Sequence, residues 1–159
     1  MMLSKEEKEL LRKDLCARLP YGVKAKVLNE DILRYDYYSK EGGFIKGIEN
    51  INDGLFVIEC KKDGYVLSYD EFKPYLFPLS SMTEEQLYEI KEITEFKYNH
   101  NTLELVKWTE THTTLEFWLE EVPQYSVIEV FDWLNKNHFD YRGLIPMGLA
   151  IDATGLNIY

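Results

Sequence analysis

The stretch Trp133-Leu-Asn-Lys-Asn-His-Phe-Asp-Tyr-Arg-Gly-Leu-Ile-Pro-Met-Gly-Leu-Ala150 decides how the rest of the chain is read. It begins as the last turns of an amphipathic helix and ends in a tight turn held by apolar residues. The helix opens at Ser126-Val-Ile-Glu129, a capping box in which the serine hydroxyl accepts an amide while the glutamate reaches back. Its stripe runs Val127, Val130, Phe131, Leu134 and His138, the spacing of one helical face. Gly143 then offers a left-handed residue, and Pro146 prevents the helix from resuming. Nothing in the block has the pattern of a catalytic, metal or nucleotide site. It reads as recognition or architecture.

Working outward, two more capping boxes place two more helices. Ser4-Lys-Glu-Glu7 opens a helix over residues 4–19 with Leu10, Leu11, Leu15 and Leu19 on one side; Pro20 stops it and Tyr21-Gly22 turns the chain. Thr83-Glu-Glu-Gln86 opens another, stapled by Met82 and Leu87 and lined by Leu87, Ile90, Ile93 and Phe96 until Asn99-His-Asn101. Between these two helices the period changes to two. Val23, Ala25 and Val27 alternate with Lys24 and Lys26, the mark of a half-buried strand. Further short strands are predicted over 32–38, 44–51, 55–60 and 65–72, separated by Gly42-Gly43, Asn52-Asp53-Gly54 and Lys61-Lys-Asp-Gly64. Lys73-Pro-Tyr-Leu-Phe-Pro78 reads as an extended segment leaving the sheet, because each proline biases its predecessor away from helix. Two weaker strands, 103–109 and 113–119, fill the stretch before Pro123.

The expected fold is therefore α+β. An N-terminal helix and a small antiparallel, SH3-like β-barrel occupy residues 1–80, an expectation drawn from strand length and spacing. An acidic α/β extension, residues 81–159, packs on it or shares its domain, ending in a helix and an ordered tail.

Composition bounds the function. Apolar residues make up 45% of the 159 and charged residues 29%, enough for a packed core. The net charge is −10, and it is unevenly spread: residues 80–159 carry fourteen acidic and five basic groups. Duplex binding needs clustered Lys and Arg to displace counterions, and the sequence has no such cluster, which argues against nucleic acid and against an anionic membrane. Cys16 and Cys60 are far apart and read as buried free thiols. No apolar run approaches the ~20 residues that span a bilayer, and the charged N-terminus does not resemble a signal peptide, so a reducing cytoplasm is expected.

One constellation invites a chemical reading. His138, Asp140 and Arg142 could supply a base, an orienting carboxylate and an anion binder for a small hydrolase or transferase. The structural alternative weighs more: His138 continues an apolar stripe at a helix end, with Asp140 and Arg142 bracing the turn at Gly143. The three histidines, His100, His112 and His138, have no helical pairing and no nearby thiol, so neither a metal nor a cofactor is expected. Tyr35, Tyr37, Tyr38, Tyr65, Tyr69 and Tyr75 pack the sheet or rim it as an aromatic groove for a peptide; Tyr37, Tyr38 and Tyr69 are the candidates for contact. The leading function is a non-catalytic module binding a protein partner. The alternative is an acidic inhibitor that imitates nucleic acid toward a basic partner, with Glu89, Glu92 and Glu95 in its face.

Three blocks carry a resemblance. Lys13-Asp-Leu-Cys-Ala-Arg-Leu-Pro-Tyr-Gly-Val23, Lys73-Pro-Tyr-Leu-Phe-Pro-Leu-Ser-Ser-Met-Thr83 and the C-terminal block together resemble a group of small proteins of gut Bacteroidales, their mobile elements and phages. The resemblance covers about 60 residues at both ends and in the middle. It implies the cytoplasm of a gut bacterium or of a cell infected by its virus, and it implies no activity, ligand or catalytic residue.

Overall fold

The computed structural model describes residues 2–28, 43–50, 55–59, 64–98 and 124–159. The predicted strands over 32–38, 103–109 and 113–119 lie outside these residues, as do Tyr35, Tyr37, Tyr38, Cys60, His100 and His112.

Helix α1, Lys5–Arg18, starts where the capping box predicts: the Ser4 hydroxyl accepts the Glu7 amide at 3.1 Å and Glu7 accepts the Ser4 amide at 2.7 Å. A 3-10 turn, Leu19–Tyr21, takes Pro20 into it, and Gly22 (φ 72°) reverses the chain in a left-handed conformation that side chains disfavour. Strand β1, Lys24–Val27, alternates as predicted, with Ala25 and Val27 buried and Lys26 exposed. Strands β2 (Gly43–Asn50), β3 (Leu55–Glu59) and β4 (Gly64–Leu67) follow as an antiparallel meander.

The largest departure comes next. Residues 72–78 do not leave the sheet; they form β5, Phe72–Pro78, which pairs antiparallel with β1 and parallel with two short C-terminal strands. Pro74 is tolerated for a reason visible in the register. The Leu28 amide donates to the Glu71 carbonyl, so in this ladder the Ala25–Pro74 pair falls at a non-hydrogen-bonded position. The missing N–H is not owed to β1. The pattern that looked like a breaker is a central strand with four buried residues, Phe72, Pro74, Tyr75 and Leu76.

The strands run in the order β4-β3-β2-β1-β5-β6, with β7 also paired to β5; β6 is Phe139–Asp140 and β7 is Ile151–Asp152. That is an open, mixed path, so the described strands do not make the expected closed antiparallel barrel. The α+β class stands. Two C-terminal segments join β5 in parallel, which sequential antiparallel strands in a barrel would not do.

Helix α2, Glu84–Tyr98, is capped by Thr83 and Gln86 reciprocally, at 3.2 and 2.9 Å. Helix α3, Gln124–Lys136, begins two residues before the predicted cap, placing Ser126 inside the helix. Two cores result. Leu11 and Leu15 of α1, Val23, Ala25, Ile45, Phe72 and Leu76 form the first, joined by Leu144, Leu149 and Ala150 from the C-terminal turn. Ile90, Val130, Leu134 and Phe139 form the second. The C-terminal turn thus completes the N-terminal core. Fully burying one such leucine contributes roughly 2 kcal/mol. No helix among the described residues is long and apolar enough to cross a membrane.

Candidate functional site: a buried polar junction and a shallow groove

Where α1, β5 and the C-terminal turn meet, the core is polar. On α1 the positions facing inward are Leu11, Asp14, Leu15 and Arg18, a helical stripe in which every second member is charged. Asp14 and Arg18 have no solvent exposure. They are matched as fork to carboxylate: Arg18 Nε donates to Asp14 Oδ2 at 2.7 Å and its Nη2 to Oδ1 at 2.9 Å. The same Nη2 donates to the Phe139 carbonyl at 2.8 Å, which ties α1 to β6. Burial by itself would lower the Arg18 pKa, but the Asp14 carboxylate beside it outweighs that and raises it.

His138 lies in the turn two residues beyond the end of α3. Its φ of 58° is left-handed, a place usually given to glycine, so it does not continue the helical stripe as the spacing predicts. The ring is buried, stacked at 3.9 Å and 12° on the ring of Tyr159. Burial, with the Arg18 charge nearby, pushes its pKa down to about 4, so the imidazole is neutral at pH 7. Asp140 accepts the Leu144 amide on one oxygen at 2.8 Å and the Ile145 amide on the other at 2.7 Å. Burial still raises its pKa above the usual carboxylate range, against those two donors. Gly143 (φ 73°) makes the tight turn that brings both amides round. Arg142 is directed at Asp14, with Nε 3.3 Å from Oδ1, and donates to the Tyr141 hydroxyl, which in turn donates to Asn135.

His138, Asp140 and Arg142 are therefore close in the fold yet separately engaged. Asp140 holds a turn, Arg142 faces the α1 carboxylate, and an aromatic ring covers His138. None of the three is in the lining of the groove described next. Among the described residues no cluster of His, Cys, Asp and Glu is arranged to hold a metal ion. Cys16 is exposed, not buried as expected, because it lies off the face that carries Leu11, Leu15 and Arg18.

Tyr69 belongs to a second region. It lines a groove of about 160 Å³ together with Leu3, Leu28, Phe72, Met147 and Leu149. Leu28 and Met147 are 39% and 47% exposed, apolar groups left at the surface beside buried Tyr69 and Phe72. Glu7, Asp70 and Lys73 complete the rim. Asp70 accepts the Leu3 amide at 2.7 Å, fixing the N-terminal wall. Tyr75 is buried in the sheet, away from this lining.

Two groups escaped the sequence reading. Asp14 and Arg18 fell at core spacing on α1, a signal available from the i, i+4 repeat but masked by their charge. Tyr159 showed no local pattern at all. No protein-family model, curated protein or solved structure matches the chain.

Proposed function

We propose that the chain is a non-catalytic protein-interaction module of a gut bacterium or its mobile elements, working in the cytoplasm, and that the Tyr69 groove receives its partner. The observation that carries the reading is the exposed apolar pair Leu28 and Met147 flanking a concave wall of Tyr69 and Phe72. Apolar side chains at the lip of a groove fit a partner's apolar anchor, whose burial drives association. Glu7, Asp70 and Lys73 lie on the rim, and Asp70 pairs with Lys8 at 3.6 Å, so the apolar lip rather than a net charge selects the segment that fits. The groups that could have served catalysis, His138, Asp140 and Arg142, are occupied in holding the C-terminal turn. The test is affinity capture from a Bacteroidales lysate with the wild-type chain and Met147→Glu side by side. The reading expects a stoichiometric protein partner whose recovery falls at least tenfold with the variant. Equal recovery by both chains, or turnover of a small molecule, overturns it.

A second reading rests on α2. Glu85, Glu89 and Glu92 recur at three- and four-residue steps and are exposed, with Tyr88 between them 59% exposed. That acidic face suits a basic, nucleic-acid-binding partner. Glu89 also accepts the Trp133 indole N–H at 2.9 Å, so Glu85→Lys with Glu92→Lys is the cleaner reversal. The acidic reading requires capture that weakens steeply with salt and is lost in that double variant; capture indifferent to both removes it.

A further inference from the structure

The outward face of the sheet gathers charge of one sign. Along β1, Ala25 and Val27 are buried, so the alternating Lys24 and Lys26 point away from the core. The register carries that face onto both neighbours: Lys24 stands opposite Phe44 of β2, and Lys26 opposite Lys73 of β5. Lys46, two residues beyond Phe44, is exposed while Ile45 between them is buried, so it shares the face. Four ammoniums from three strands thus meet on one surface of a chain whose net charge is −10. They come from scattered positions, so no basic run marks them in the sequence.

Lys26 and Lys73 are directly opposed, and like charges in that arrangement destabilise a sheet. Among the described residues neither forms an ion pair that would offset the repulsion. The neighbouring carboxylate, Glu71, accepts the Ser68 amide and hydroxyl at 2.9 and 3.1 Å. Apolar groups stand among the lysines: Leu28 is exposed just after β1, and Phe44 is exposed beside the Lys24 ammonium, 4.9 Å from its ring centroid. Lys24 is fixed there, because its ammonium also donates to the Ile158 carbonyl. Ammoniums set around an exposed aromatic ring suit a protein surface whose carboxylates surround another. The net charge of −10 repels an extended polyanion such as nucleic acid.

Such a surface is present on the same chain. On α2, Glu85, Tyr88, Glu89 and Glu92 recur at three- and four-residue steps, and all four are exposed. Tyr88 stands midway between Glu85 and Glu92, which are about 10 Å apart along the helix axis. On the sheet, Lys24 and Phe44 stand midway between Lys26 and Lys46, which are about 13 Å apart along the strands. The order carboxylate, aromatic, carboxylate thus meets ammonium, aromatic, ammonium, and the long side chains absorb the difference in span.

We propose that the sheet face bearing Lys24, Lys26, Lys46 and Lys73 docks the acidic face of α2 from a second copy of this chain. The contact is heterologous: each copy offers one face and receives the other, so copies join head to tail and not as a symmetric pair. Glu85 and Glu92 pair with the exposed ammoniums of Lys26 and Lys46, and Tyr88 covers Phe44. A carboxylate placed beside Lys26 also relieves its repulsion with Lys73. In this arrangement the basic partner of α2 is the chain itself. Lys26 and Lys46 are not in the lining of the Tyr69 groove, so the proposal is independent of that site.

Sedimentation of the full chain at rising concentration, in physiological and in high salt, tests this beside two double variants. One is Lys26→Glu with Lys46→Glu and the other Glu85→Lys with Glu92→Lys, each checked for folding by circular dichroism. The wild-type mass should rise above the monomer's at sub-millimolar protein and fall back in high salt. Each variant alone should associate at least tenfold more weakly than wild type. Mixed, the two should associate again, because each presents the face that the other needs. Should a reversal fail to fold, Lys26→Gln with Lys46→Gln or Glu85→Gln with Glu92→Gln replaces it, with the same loss expected. A wild-type chain that stays monomeric, variants that associate as it does, or a mixture of the two reversals that stays monomeric overturns the proposal. A monomeric wild type that binds a labelled single-stranded oligonucleotide through Lys26 and Lys46 assigns the face to nucleic acid and overturns it as well.

Discussion

Two regions of this molecule invert the ordinary distribution of polarity, and they invert it in opposite directions. At the junction of α1 with the C-terminal turn, charged and titratable groups lie inside: Asp14, Arg18, His138 and Asp140 are all buried. At the Tyr69 groove, apolar groups lie outside, with Leu28 and Met147 at the surface. The buried polar groups are held in a network that pins α1 to the C-terminal turn and closes the turn on itself: Arg18 to Phe139, Arg142 to Asp14, and within the turn Asp140 to Leu144 and Ile145. The exposed apolar groups have no such internal employment. Polarity inside holds the architecture, and apolarity outside is what the proposed partner would cover. The contrast separates residues that resemble an active site from residues that carry the proposed interaction.

The comparison breaks most violently at Arg18. Removing it leaves the Asp14 carboxylate buried, with only Arg142 beside it, and removes the donor to the Phe139 carbonyl. Arg18→Ala is expected to cost about 3–5 kcal/mol, the range for one partner of a buried pair. The double variant Asp14→Leu, Arg18→Met leaves no charge fully buried, although the partly exposed Arg142 loses its carboxylate and the Phe139 carbonyl its donor, so it should recover part of that loss. Urea denaturation of the single and double variants reads both. A double variant as unstable as the single would mean that the pair contributes net stability of its own.

Next in size is the response to acid. The His138 imidazole is held neutral by burial, its folded pKa near 4 against an ordinary 6.5. Between those values the unfolded chain binds the proton and the folded chain does not, so stability falls as pH falls. It is fully present above about 6.5 and lost progressively down to about 4, a change of about 3 kcal/mol. Asp140 works in the opposite sense at the acid end, because burial raises its pKa and protonation there favours the folded form. His138→Asn keeps a residue tolerant of the left-handed conformation and removes the imidazole. Its stability should be flatter than wild type between pH 6.5 and 4 by thermal unfolding. An unchanged slope would place the acid response elsewhere.

What was legible in the sequence tracks how local the determining physics is. The boxes Ser4–Glu7 and Thr83–Gln86 read correctly because each is completed within four residues. β1 read correctly because alternation is a property of one strand. β5 was misread because prolines count as breakers when seen alone. Pro74 is harmless only in a register set by β1, some fifty residues earlier in the chain. The three-residue cluster around His138 was visible, and so was the turn that Asp140 braces; what no local pattern showed is that Arg142 is turned to a carboxylate on α1. Asp14 and Arg18 had the spacing of core residues and the chemistry of surface ones, and only the pairing of the two reconciles them. Tyr159 reaches Lys24 and Tyr75 across most of the chain, and no local pattern announces such a contact.

The smallest expected effect on stability is the most telling for function. Met147 lies in the turn after Pro146, nearly half exposed, and its side chain borders the groove without closing a core. Met147→Glu should therefore shift the unfolding free energy by no more than about 0.5 kcal/mol, the range for surface changes away from caps and cores. It also adds a third carboxylate to a lining that already has Glu7 and Asp70, which disfavours an apolar anchor whatever its flanking charge. A variant as stable as wild type that no longer captures the partner places the two inversions of polarity in separate roles, one holding the fold and one meeting a ligand. A large loss of stability would instead make Met147 part of the architecture, and the groove would then belong with the junction as a device of folding. The measurement is a matched pair of urea titrations, read beside the capture experiment on the same preparations.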